Sequence, residues 1–187
     1  MSADSGTDGF ALRTGLGQNR LDMKLTSLEA IVEVLHGASV RYLVVGGLAV
    51  NAHGYLRFTK DVDIVIQLVP DNIARALGAL ATLGYRPLVP ITAEQFAELG
   101  NRERWMREKN MQVLQLWSDL HRETPIDVFV YEPFPFDQEY ARAMVKPLSE
   151  EREVRFVTIQ TLIDMKLLAD RAQDRIDIEN LRMRLVE

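Results

Sequence analysis

Between Tyr42 and Gln67 the order of residue types leaves few folds open. The apolar run Tyr42-Leu43-Val44-Val45 is a buried strand by length and composition, and it stops at Gly46-Gly47. Leu48 to His53 reads as a short helix closed by Gly54. Val62 to Val69, rich in Val and Ile and ended by Pro70-Asp71, reads as a second strand. Two glycines after a strand allow a tight bend and a close backbone approach to a ligand. The helix behind them turns free N–H groups toward the same place. Asp61 and Asp63, one residue apart at the head of the second strand, share a face about 6.6 Å apart along the chain. Carboxylates so placed suit a pair of divalent ions about 3.5–4 Å apart, the spacing used for phosphoryl chemistry. Taken singly, a Gly-Gly is an ordinary turn and an Asp-x-Asp is two solvated acids. Their order and separation set this pair apart.

The flanking chain supplies a mixed set of elements. Leu25 to His36 repeats apolar residues at helical spacing, with Ser27 near its start and Gly37 past its end. Asn72 to Leu83 is a second amphipathic helix stopped by Gly84. Thr92 to Lys109 reads as a charged helix broken near Gly100-Asn101. Met111 to Trp117 and Ile126 to Tyr131 read as strands, the second ended by Pro133 and Pro135. A short helix is expected over Phe136 to Val145, a last strand over Val154 to Val157, and closing helices over Ile159 to Ala169 and Asp174 to Val186. Strands and helices interleave without strict βαβ alternation. That pattern predicts an α/β (α+β) domain, a mixed β-sheet flanked by helices with C-terminal helices over it.

Composition narrows the function classes. The chain has 187 residues, 47% hydrophobic and 26% charged, enough for one self-supporting core. It contains no cysteine, which removes disulfide frameworks, thiol nucleophiles and cysteine-held metals. A net charge of −5 gives no basic shell for bulk nucleic-acid binding. No stretch has the ~20 apolar residues of a membrane helix, and Met1 to Gln18 lacks the apolar core of a signal peptide. The expectation is a cytoplasmic protein with a flexible arm over residues 1–22 and a single domain over residues 23–187.

Val45-Gly46-Gly47-Leu48-Ala49 followed by Arg57-Phe58-Thr59-Lys60-Asp61-Val62-Asp63-Ile64 resembles the first motif of the DNA polymerase β-like nucleotidyltransferase superfamily. It is most similar to small prokaryotic members: abortive-infection toxin and antibiotic nucleotidyltransferases. Many of these carry an Arg-x-Thr/Ser before the first acid, as Arg57 and Thr59 stand here. Asp127, alone in the apolar run Ile126 to Val130, fits the family's third carboxylate. A carboxylate there is costly unless it meets cations or donors. Lys166, Arg171, Asp174 and Asp177 resemble the family's C-terminal helical signature, in which a lysine faces the nucleotide phosphates.

The resemblance implies a metal-dependent nucleotidyltransferase that moves a nucleoside monophosphate from an NTP, with ATP foremost, to an acceptor hydroxyl on protein, tRNA or small molecule. It implies two Mg²⁺ or Mn²⁺ ions on Asp61, Asp63 and Asp127, with Asp127 completing the acceptor-side metal or taking the proton. Gly46, Gly47, Leu48, Arg57, Thr59 and Lys166 are the implied nucleotide-binding residues. The common form has Ser where Gly47 stands, although the backbone donors remain. The rival reading is a catalytically silent member of the fold that binds a regulatory partner such as an antitoxin.

The remaining groups have plainer readings. Asp174 can cap the last helix, with Asp177 in a capping-box-like position and Arg171 pairing with either. His53 and His121 read as surface or capping groups. Trp105 and Trp117 read as core or interface aromatics, with base stacking as the alternative. Arg102, Arg104, Arg107 and Lys109 read as a solvated helix face.

Overall fold

A computed structural model describes residues 14–149 and 152–185. Of the arm expected over residues 1–22, residues 1–13 lie outside the described residues. Helix α1 spans Thr14–Gly37, longer than the periodicity from Leu25 predicts. It leads into β1 (Tyr42–Val44), α2 (Gly46–Ala52) and β2 (Val62–Ile66). Next come α3 (Pro70–Thr82), β3 (Arg86–Pro87), α4 (Ala93–Ala97), α5 (Leu99–Lys109), β4 (Val113–Trp117) and β5 (Ile126–Phe129). The chain continues through α6 (Phe136–Arg142), β6 (Met144–Ser149), β7 (Arg152–Phe156), α7 (Ile159–Ala169) and α8 (Ala172–Arg184).

The seven strands form one mixed sheet in the order β3-β4-β5-β2-β1-β7-β6. Strand β2 pairs antiparallel with β1 and parallel with β5; β1 and β7 are parallel, and the remaining pairs are antiparallel. At the centre every residue of β1 is buried, so both faces of the sheet are covered there. Helix α3 packs on β2 and α1, while α2 packs on β2 and α7, and α7 on α8. Strand β4 differs: Leu114 and Leu116 are buried, whereas Gln115 is exposed and Val113 and Trp117 are half-buried. One face of the sheet is therefore open beside β5.

Three expectations need correction. The helix over Phe136 to Val145 stops at Arg142, and Met144–Ser149 forms β6 against β7. Pro147 disguises that strand, but β6 is an edge, where a residue without an N–H is tolerated. The opposite edge, β3, likewise holds a proline, Pro87, and its two residues are too few to show a pattern. The break in the Thr92 to Lys109 helix falls at Glu98 rather than Gly100-Asn101. Thr92 and Gln95 cap α4 reciprocally. Asn101 donates to Gln95 O, and buried Arg102 donates to Phe96 O and Ala97 O, so the carbonyls at the end of α4 are satisfied by α5 side chains. Arg102 therefore does not belong to a solvated face; Arg104, Arg107 and Lys109 are exposed.

Glu139, fully buried on α6, accepts from Thr158 N at 2.6 Å and Thr161 Oγ1 at 2.8 Å. It thereby satisfies the head of α7, the helix that carries Lys166. No helix among the described residues is long and apolar enough to cross a membrane.

Candidate active site

The turn after β1 is shaped by what lies against it. Gly46 has φ +61, a left-handed conformation that glycine adopts without steric cost. Val45 N–H donates to Asp63 O at 3.0 Å, tying the turn to β2. A Cβ on Gly47 would fall 2.3 Å from Thr59 Oγ1 and 3.2 Å from Arg57 Nη1. The Thr59 side chain thus fills the space a residue-47 side chain would need, and glycine is the residue that fits.

Asp63 and Asp127 are register partners on the parallel strands β2 and β5, so their side chains leave the sheet on the same face. Gln115 is the register partner of Asp127 on β4, and its Nε2 donates to Asp127 Oδ1 at 3.1 Å. Gln115 is exposed and Asp127 half-buried beside it, while the Asp63 carboxylate lies under the glycine turn. Asp61 precedes β2 and reaches both acids through its charge. Burial, then the charges of Asp127 and Asp61, push Asp63 up to about 6. The Arg171 guanidinium and the Gly47 N–H oppose that rise. The Gly47 donor, expected to serve phosphate, is thus directed at Asp63 here. Burial also raises Asp127, with Asp61 adding to the shift and the Gln115 hydrogen bond opposing it.

The cations sit elsewhere than their sequence positions imply. Arg57 donates through Nε and Nη2 to the two carboxylate oxygens of Asp177, each at 2.8 Å. Lys166 is buried, and its Nζ donates to Asp174 at 2.9 Å and Asp177 at 2.6 Å. Arg171 is the N-cap residue of α8; its backbone N–H and its Nε both donate to Asp174 Oδ2, at 3.3 and 2.8 Å. Asp174 caps α8 as expected, but Asp177 belongs to the ion-pair network rather than to a capping box. Gln115, absent from the sequence-derived site, is a lone polar residue in the apolar run Val113 to Trp117. That break in the alternation is its only sequence signal.

The other groups singled out are structural. His53 Nε2 donates to Val157 O at 2.9 Å. His121 meets Ser27 Oγ at 2.9 Å and stacks on Tyr85. Trp105 is a core residue.

Among the described residues no group of three or more histidine, cysteine or acidic side chains is gathered closely enough to hold a metal ion. The donor set still fits Mg²⁺ or Mn²⁺, which takes one or two carboxylates and completes its shell with phosphate and water. Asp63 and Asp127 are two such oxygen donors, and their mutual repulsion is what a cation would relieve.

No family model matches the chain, and no curated protein sequence matches it. Solved structures of one antibiotic-resistance factor are among those that share its architecture. The antibiotic-resistance factor ANT(2″)-Ia in solution superposes with a TM-score of 0.54 at 15% identity, covering 88% of this chain and 84% of the other. The crystal structure of ANT(2″)-Ia with adenylyl-2″-tobramycin gives 0.53 at 13% identity, covering 88% of this chain and 90% of the other. At such identities the likeness is one of fold. The chain has a nucleotidyltransferase fold, a mixed sheet with helices about it.

Proposed function

We propose that this chain transfers a nucleoside monophosphate from a nucleoside triphosphate to an acceptor hydroxyl. The observation that carries the reading is the register pairing of Asp63 with Asp127 on an open sheet face, beside a glycine turn. The acceptor oxygen attacks the α-phosphorus. The bond from that phosphorus to the bridging oxygen breaks, and pyrophosphate leaves with the electron pair. Mg²⁺ or Mn²⁺ held by Asp61 and Asp63, with Asp127 on the acceptor side, would lower the acceptor's pKa and neutralise the leaving group.

The protein's own groups divide the remaining work. Gln115 occupies Asp127 Oδ1, which leaves Oδ2 to receive the acceptor proton. The raised pKa of Asp127 makes it a stronger base than an ordinary carboxylate. Gly46, Gly47 and Leu48 bring backbone close to the phosphates, and Thr59 places a hydroxyl where the family's serine would stand. Such chemistry draws on the cytoplasmic triphosphate pool. What the neighbour's adenylyl-tobramycin complex shows for that protein, a nucleotide joined to an acceptor, is the kind of product expected here with another acceptor.

The test is incubation with α-labelled nucleoside triphosphates, Mg²⁺ or Mn²⁺, and a panel of tRNA, protein extract and small-molecule alcohols, together with triphosphate-binding calorimetry. Label should move to one acceptor class and stop when metal is chelated. A protein that neither binds triphosphate with metal nor labels any acceptor refutes the reading.

A further inference from the structure

We propose that Arg171, at the head of α8, is the cation that meets the triphosphate, and that Lys166 is the buried post that holds it in place. The inference rests on the nucleotidyl-transfer reading and assigns its phosphate-binding charge. Three cations lie behind the acids, and their surroundings separate them. Both ends of the Arg57 fork are engaged by Asp177, and its Nη1 donates to Phe58 O at 3.0 Å. Lys166 has a side chain 5% exposed and is bonded to two carboxylates. Drawing either toward a ligand would take from the buried Asp177 one of its two cations, a costly exchange.

Arg171 is different. Its side chain is 77% exposed, yet it is anchored at Nε by Asp174, whose own side chain is 4% exposed. With Nε held by Asp174, the Nη1–Nη2 edge of the guanidinium offers the planar, two-pronged contact that matches phosphate oxygens. The charges support the same assignment. In the α7–α8 corner three cations, Arg57, Lys166 and Arg171, meet two carboxylates, Asp174 and Asp177, and the member of the set that faces water is Arg171. That member is also close enough to Asp63 for each group to shift the other's protonation. A second arginine on the corner, Arg175, is paired with Asp170. Gln173 adds a donor to Asp177 at 3.0 Å and so stiffens the post.

The division of labour is testable without knowing the acceptor. ATP binding is measured by calorimetry in Mn²⁺ for the full chain and for Arg171→Gln, Arg171→Lys and Lys166→Met, with a thermal melt of each. Arg171→Gln should weaken ATP binding about tenfold or more, the range for one charge-assisted contact, with little change in melting. Arg171→Lys should recover part of that loss. Lys166→Met should melt far below the parent or fail to fold. If the parent binds ATP and Arg171→Gln binds it equally well, this assignment is wrong while the nucleotidyl reading stands. A Lys166→Met chain that melts like the parent but has lost ATP affinity would return the role to Lys166. If the parent binds none of ATP, GTP, CTP and UTP with metal, the nucleotidyl reading itself fails; if it binds one of the others, the same variants are measured with that triphosphate.

Discussion

The Asp63 carboxylate lies against the bare α-carbon of Gly46: a methyl group there would fall 2.0 Å from Oδ2. Gly46→Ala therefore meets two penalties, a left-handed φ costing about 1–2 kcal/mol and overpacking of about 1–3 kcal/mol. Urea unfolding should show a loss of about 2–5 kcal/mol, and pairing the change with Asp63→Ala should recover the overpacking share. Gly78 on α3 has nothing within 4 Å, so Gly78→Ala should instead stabilise by about 0.4–1 kcal/mol. Equal costs at the two glycines would contradict the packing described for the turn.

Asp63 sets a pH signature. Its carboxyl is raised from 3.8 to about 6, so between those values the folded protein holds a proton that the unfolded chain has lost. Stability attributable to this group therefore falls as pH rises through that window, by an amount on the order of 2–3 kcal/mol. In chelator, Asp63→Asn should melt above the parent at pH 7.5, and the gap should close toward pH 4. A gap of the same size at both pH values would show that Asp63 is not under this strain.

Asp177 carries the opposite sign. Burial would raise its carboxyl, but hydrogen bonds from Arg57, Lys166 and Gln173 outweigh burial and hold it below the usual carboxylate range. The stability it contributes is complete above about pH 4 and drains away as pH falls through the lowered value. Asp177→Asn leaves two cations against a neutral group and should cost about 3–5 kcal/mol in urea unfolding at pH 7. The exposed pair Arg86–Asp119 offers the contrast: Asp119→Asn should cost under about 1 kcal/mol.

Asp127→Asn should leave most triphosphate binding intact and lower transfer on the order of 10²–10⁴-fold. Asparagine keeps the shape and the Gln115 contact but cannot take a proton. Single-turnover labelling of whichever acceptor the panel finds is the measurement. Near-parent turnover would make Asp127 a structural acid.

Local signals in the sequence were enough for the strand, glycine turn, helix and acid pair from Tyr42 to Ile66, because each is set by neighbours a few residues away. Asp127 was legible for a related reason, since one acid in an apolar strand has few explanations. Strand β6 was not legible: Met144–Ser149 carries a proline and exists as a strand only through pairing with β7. Gln115 could not be placed in the site without the β4–β5 register. The surroundings of Lys166 depend on two aspartates brought to it by the α7–α8 corner. Its helical position says nothing of whether its ammonium meets water or carboxylates.

The ion pair between Arg57 and Asp177 joins residues 120 positions apart. During synthesis, domains are laid down from the N-terminus at about 5–20 residues per second, so the sheet strands that hold the acids emerge well before α8. Until α8 follows, Arg57 has no carboxylate to fix it, Lys166 has no cage, and Arg171 has no Asp174 to anchor it. On this ordering the nascent chain is an unarmed form of the protein. The ion-pair network that fixes all three cations is completed in one late step, when the last described helix docks.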